Sequence, residues 1–202
     1  MDILKKALTS ASTEVLTASN RLILLVEDDL YFYRTSDWSL EKSFLAITSG
    51  SELFGDPSSL IVANNNEFLV VSSGDAMVVY SLGTMEELYI DTQTSGTVVS
   101  LSSDNAYLAY QYGNDDIRIL DTSDWSTVIN ITSVTDNSTA EVVAMSNDKT
   151  KVACASYASG DVRIYNVSDG TAYSANLDTL DGISSMAFSP DDTMLMCSQG
   201  IS

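Results

Sequence analysis

Along this chain, short apolar runs alternate with clusters of Ser, Thr, Asp, Asn and Gly. Leu101, Tyr107, Leu108, Tyr110, Ile117, Ile119 and Leu120 sit among Ser, Asp and Asn, and their spacing predicts strands of about five to eight residues. No segment sustains a 3.6-residue apolar period over a dozen positions. Near-continuous runs such as Phe68, Leu69, Val70 and Val71 suit strands covered on both faces, as where one sheet stacks on another.

The pattern repeats. Short turns that follow one class of apolar strand read Thr-Ala-Ser-Asn ending at Asn20, Ala-Asn-Asn ending at Asn65, Leu-Ser-Ser-Asp ending at Asp104, Met-Ser-Asn-Asp ending at Asp148 and Phe-Ser-Pro-Asp ending at Asp191. Subtraction gives intervals of 45, 39, 44 and 43. A second series begins with Asp29, Asp75, Asp116 and Asp161, each opening a strand, at intervals of 46, 41 and 45. A third marker follows each of these strands: Thr-Ser-Asp-Trp at 35–38 and again at 122–125, with Ser-Leu-Gly-Thr at 81–84 and Val-Ser-Asp-Gly at 167–170. Asp, Ser and Gly suit tight turns because they bond their own backbone or tolerate left-handed dihedrals, so each marker should reverse the chain into an outer strand. Four strands in about 43 residues is the signature of a propeller blade, whereas kelch blades run nearer 50 and helical repeats lack this turn chemistry. The expected units are a first outer strand at 2–10, blades at about 13–50, 58–94, 97–132 and 140–178, and a partial blade at 183–202.

Phe-Ser-Pro-Asp before a strand, and Asp-Val-Arg-Ile-Tyr-Asn closing a unit, resemble the WD40 family, and the likeness runs over nearly the whole chain. Its closing Trp-Asp pair is represented by Leu120–Asp121 and Tyr165–Asn166. The resemblance implies an all-β fold, a β-propeller of WD40-like four-stranded blades with about four and a half present, as a single domain over 1–202. It departs from the family in one respect. The Asp that often bonds a His within the blade is replaced by Asn114 and Ser159, and the chain has no His. Apolar stacking between sheets should therefore hold the blades together. WD40 relatives typically close a seven-bladed ring with the N-terminal strand, so the chain is expected to be part of a larger propeller. The rival is a five-bladed ring lacking one strand. Open blade edges would favour self-association.

Composition narrows the function. With 28 acidic and 9 basic residues, the formal net charge of −19 disfavours nucleic acid and anionic lipid surfaces; it suits plain solubility first and a basic protein partner second. The absence of His removes His-based triads and most zinc sites. Cys154 and Cys197 lie in apolar strand runs and read as buried small hydrophobes. The N-terminus shows no signal-peptide core and no run approaches a transmembrane span, so a cytoplasmic protein is expected, and sequons at Asn130, Asn137 and Asn166 are discounted.

Candidate chemistry is sparse. Acidic pairs at Asp28–Asp29, Asp115–Asp116 and Asp191–Asp192 lack the Asp-x-Asp-x-Asp-Gly spacing of a calcium loop and read as solvated turn carboxylates. No Gly-x-Ser-x-Gly elbow or Walker loop occurs, so no catalytic residue, cofactor or metal ligand is nominated. Trp38 and Trp125, at matching places in the repeated turns, are candidate protein contacts. The alternative is that each ring packs over the outer strand of its own blade. Arg118 and Arg163 also correspond and are expected on an exposed strand edge. The leading expectation is a protein–protein scaffold. The rivals are a propeller enzyme or a small-ligand or calcium binder of lactonase or quinoprotein type, and a structural subunit of a larger intracellular assembly.

Overall fold

The computed structural model describes residues 14–199 except 19, 27–28, 47, 50–51, 54–58, 95–98, 114, 133, 135–141, 157–159 and 174–181. The expected outer strand at 2–10, Asp28, Asn114, Asn137 and Ser159 fall outside the described residues. All regular structure among the described residues is strand. Contacts divide the chain into two units, Met1–Thr92 and Gln93–Ser202.

In the first unit, β1 (Glu14–Ala18), β2 (Arg21–Val26), β3 (Asp29–Arg34) and β4 (Leu40–Leu45) form one antiparallel meander. After the short ribbon β5 (Thr48–Ser49) and β6 (Glu52–Leu53), a second meander comprises β7 (Ser59–Val62), β8 (Phe68–Ser72), β9 (Met77–Ser81) and β10 (Glu87–Asp91). Strict alternation sends Ile23, Leu25, Leu30 and Phe32 to one face of the first sheet. There they meet Leu69, Val71, Val78 and Tyr80 of the second in a single buried cluster. Phe44 stacks on Phe32 at 5.6 Å and tilts against Tyr80 at 4.8 Å.

The second unit repeats the plan. It contains a four-stranded sheet of β11 (Val99–Leu101), β12 (Tyr107–Tyr112), β13 (Asp116–Asp121) and β14 (Thr127–Ile131). Next come β15 (Val142–Met145), β16 (Lys151–Ala155) and β17 (Val162–Asn166), extended by an isolated bridge between Tyr165 and Ala172. The hairpin of β18 (Ile183–Phe188) and β19 (Leu195–Gln199) follows. One buried cluster joins Ile117, Ile119 and Ile131 to Val152, Cys154 and Tyr165. Another joins Ala144, Ala153 and Ile164 to Ile183 and Met186. Cys154 is fully buried in this packing, which pushes its thiol pKa up to about 12.

Apolar stacking is supplemented by a polar device at the same place in two blades. The Tyr80 hydroxyl donates to the Ala46 carbonyl at 2.9 Å, and the Tyr165 hydroxyl donates to the Val134 carbonyl at 3.0 Å. Both accept-and-donate pairs are buried and reach back from the third strand of one sheet to the chain leaving the preceding sheet. Burial pushes the Tyr80 pKa up to about 12. Tyr165→Phe should cost about 1 kcal/mol, because the buried Val134 carbonyl keeps only the weak Cys154 thiol donor at 3.9 Å. Urea unfolding of the variant checks this.

The turns carry two series of left-handed residues. One is Asn20, Asn66, Asn105, Lys149 and Asp192, with φ between 55° and 63°. The other is Trp38, Met85, Trp125 and Gly170, with φ between 57° and 71°. Matching hydrogen bonds across these turns, from Arg34, Ser81, Asp121 and Asn166 to the carbonyls of Ser39, Glu86, Ser126 and Thr171, fix the correspondence. The member of the third sequence marker in the second blade is therefore 82–85 rather than 81–84. Ser81 itself closes β9, and the strand alternation there hid the one-residue offset.

Arg118 does not lie on an edge strand, and Arg163 lies on the last strand of its sheet but is mostly buried. Arg118 is on β13, flanked by β12 and β14, and its guanidinium lies 3.4 Å from the Tyr112 ring centre while Nε donates to Asn130 at 2.9 Å. Arg163 is on β17, with only 18 % of its side chain exposed and Asp161 at 3.8 Å. The fourth strand covers Arg118, which the repeat alone suggested was free.

Candidate functional site

The Trp38 turn is built from short-range chemistry. Thr35 donates its backbone N–H and its hydroxyl to the Asn20 carbonyl, both at 2.9 Å, which pins the turn to the β1–β2 connection. The Trp38 N–H donates to the Arg34 carbonyl at 2.8 Å. Asp37 accepts from the Ser39 hydroxyl at 2.7 Å and its N–H at 3.0 Å, and these bonds hold the Asp37 carboxyl below the usual range. A register shift between Phe32 and Tyr33 in the β3–β4 pairing bends the ribbon just before the turn. The outcome is a Trp with φ of 59° and 58 % exposure. A bulky residue in this region is strained by about 1–2 kcal/mol relative to its right-handed form.

The Trp125 turn is a close copy. Thr122 bonds the carbonyls of Ala106 and Asn105 at 2.9 and 2.6 Å, Trp125 N–H donates to Asp121 at 2.8 Å, and Asp124 accepts from Ser126 N–H at 2.9 Å. Bonds from Ser126 lower the Asp124 pKa. Trp125 has φ of 60° and is half-buried. Its counterparts differ in environment. Met85 is buried against the first sheet, and its carbonyl accepts from Lys42 Nζ at 2.6 Å. At Gly170, an added Cβ would stand 3.3 Å from Ile129 Cδ1 of the preceding sheet. The same turn position thus packs inward in two blades and presents an exposed indole at Trp38.

Beside the Trp38 turn lies a shallow cavity of about 400 Å³ lined by Asn20, Arg21, Arg34, Thr35, Ser36 and Glu41. Arg21 and Arg34 stand opposite each other in register. Their repulsion is relieved because Glu41 holds Arg21 at 2.7 and 3.1 Å, and Asp37 lies 3.5 Å from Arg34. Arg21 also donates to the Leu82 carbonyl at 2.8 Å, so this guanidinium ties two sheets together rather than offering a free charge.

The acidic turns are structural in the second unit. Asp104 pairs with Lys149 of the next blade and accepts from Ser102 and Ala106 within its own turn. Asp148 accepts from Ser146 and twice from Thr150. These donors hold both carboxyls down at about 2. Because the folded pKa is depressed, the stability these groups contribute is complete above about pH 4 and is lost as pH falls through about 2. The melting temperature followed by circular dichroism should therefore fall modestly over that window, since both carboxyls are exposed and screened, and fall less in Asp104→Asn. Among the described residues no three His, Cys, Asp or Glu side chains are grouped to hold a metal ion. No helix among them is long and apolar enough to cross a membrane.

Sequence reasoning placed Trp38 and Trp125 in turns but missed their left-handed backbone. The signal was present, since Gly170 occupies the same place in the fourth blade. It also missed Tyr80 and Tyr165 as inter-sheet donors.

These stacked antiparallel sheets define the class: the chain is an all-β protein with the blades of a partial β-propeller. No protein-family model matches it, and no curated protein matches it. Among solved structures it is similar to Kluyveromyces lactis Hsv2 (TM-score 0.70, 16 % identity, 93 % of this chain and 58 % of that one). It is similar as well to Kluyveromyces marxianus Hsv2 (0.70, 18 %, 93 % and 60 %). Kuenenia stuttgartiensis hydrazine synthase also superposes (0.66, 13 %, 90 % and 53 %). The chain spans three-fifths or less of the length of these neighbours. At such identities the likeness concerns the fold alone.

Proposed function

We propose that this chain is a protein–protein interaction platform of WD40 type, with the Trp38 turn as its principal contact and the Trp125 turn as a second. The carrying observation is Trp38, a large aromatic that is 58 % exposed in a left-handed conformation where the fourth blade uses Gly170. Exposure of a Trp at a turn position that packs inward in two other blades favours a role outside folding, and an exposed Trp on a rigid turn is a low-entropy anchor for a partner. The charge of −19 favours a basic partner, met in the cytoplasm. The reading as a non-enzyme rests on the lack of His and of any nucleophile motif in the sequence.

Trp38→Gly separates contact from fold. Its thermal stability should hold or rise by about 1 kcal/mol, because glycine relieves the strain. A photo-crosslinker at position 38 should capture a partner that one at Leu88, also exposed, does not. Equal capture at both positions would remove the turn from the account.

A further inference from the structure

Two turns of this chain share the sequence Thr-Ser-Asp-Trp, at 35–38 and 122–125, and differ in the residue before it. That residue is Arg34 in the first blade and Asp121 in the third. The Asp121 carboxylate closes its own turn, accepting from the Ser123 hydroxyl at 2.6 Å and the Ser123 N–H at 2.9 Å. The same place does similar work in the other two blades. Ser81 accepts from the N–H groups of Gly83 and Thr84, both at 3.2 Å, and the Asn166 amide donates to Thr171 at 3.1 Å. The Arg34 side chain has no acceptor atom, so it cannot close its turn in this way. Ser36, the counterpart of Ser123, makes no hydrogen bond among the described residues.

Arg34 and Ser36 both line the shallow cavity beside this turn, with Asn20, Arg21, Thr35 and Glu41. Its charges are unevenly matched. Glu41 holds Arg21 through two bonds, at 2.7 and 3.1 Å, and neutralises it. Asp37 is committed to Ser39 at 2.7 and 3.0 Å and reaches Arg34 only at 3.5 Å, with both side chains about half exposed. Arg34 therefore keeps most of its N–H groups for a ligand. It also stands directly across from Arg21, and like charges opposite each other on neighbouring strands cost stability. Arg34 forgoes the turn bond of its counterparts and faces a second cation, and neither choice favours folding.

We propose that this cavity takes the carboxylate of an acidic side chain from a protein partner, placed as the Asp121 carboxylate is placed in the third blade. The carboxylate accepts from the Ser36 N–H and hydroxyl on one side and from the Arg34 guanidinium on the other. Trp38, two residues on, receives the apolar residue beside it, so the inference rests on the Trp38 contact and names its partner chemistry. A single negative charge fits better than a phosphate dianion, because Glu41 already lines the cavity and the chain carries a net charge of −19. That net charge also selects a partner that is basic outside this one acidic side chain.

The test is an NMR titration of the whole isotope-labelled chain with N-acetyl-Asp-Leu-amide and, separately, N-acetyl-Asn-Leu-amide. The backbone N–H signal of Ser36 and the indole N–H signal of Trp38 should shift saturably with the acidic dipeptide. The neutral dipeptide should bind at least about tenfold more weakly, since the charge-assisted bonds are lost. Arg34→Gln should weaken acidic-dipeptide binding by a similar factor at an unchanged melting temperature. Arg34→Asp gives the turn the carboxylate of the third blade, so it should keep or raise the melting temperature and abolish the shifts. Equal affinity for the two dipeptides, undiminished binding by Arg34→Asp, or no shift at Ser36 up to the solubility limit overturns the carboxylate site. Tighter saturation by inorganic phosphate overturns the choice of carboxylate over phosphate. The photo-crosslinker at position 38 judges the platform separately. Binding of the acidic dipeptide with no capture there overturns the protein partner and leaves a small free carboxylic acid as the ligand.

Discussion

Phe32→Ala unfolds the first unit at markedly lower denaturant than the parent, with an expected loss of about 3–5 kcal/mol. Phe32 is fully buried on β3, between the two sheets of that unit, stacked on Phe44 and clustered with Leu30, Leu69 and Val78. Removing the ring deletes its transfer free energy and leaves a cavity whose walls are strands already fixed by ladder hydrogen bonds, so they collapse poorly. Phe32→Leu keeps most of the volume and should cost less than half as much. Equilibrium urea curves of both variants check the ordering. Equal and small effects would mean that the two sheets do not stack through this face.

Asp192→Ala should loosen the β18–β19 hairpin against its neighbour, with a local cost of about 1.5–3 kcal/mol. The Asp192 carboxylate accepts from the Asn147 N–H at 2.8 Å, the Asn147 side-chain amide at 2.9 Å and the Asp148 N–H at 2.8 Å. Alanine removes all three acceptor contacts and stands at φ of 55°, where Asp is tolerated better. Asp192→Asn keeps one amide oxygen and the backbone preference, so it should fall between. Hydrogen exchange localises the effect: peptides covering 183–199 should exchange faster while those covering 107–121 stay unchanged.

Much of this architecture was legible because its determinants are local. Ser102 bonds Asp104, Ser146 bonds Asp148 and Ser189 bonds Asp191, each two residues on, and the strand alternation is imposed by the pleat. A repeat of local signals therefore shows in the sequence as a repeat. The inter-blade contacts were not legible. Tyr80 and Tyr165 donate to carbonyls 34 and 31 positions away, and nothing in a tyrosine's neighbours says which carbonyl will pass it. Asp192 was read as a solvated turn acid, yet its partners lie 44 and 45 residues back. Arg118 was assigned to an edge because the repeat marks β13 but marks β14 weakly, and β14 supplies Asn130. The Trp38 site was half visible: residue type and turn were plain, while the left-handed backbone emerged only through alignment with Gly170.

One blade plan recurs along the chain, and within each unit second and third strands are buried where sheets stack. Hydrogen–deuterium exchange on the native protein tests it most directly. Slow exchange is expected at 23–26, 69–72, 108–111 and 152–155, separated by faster turns at 36–39, 83–86, 123–126 and 168–171. Uniformly fast exchange across those strands, or slow exchange running unbroken through the turns, would contradict it.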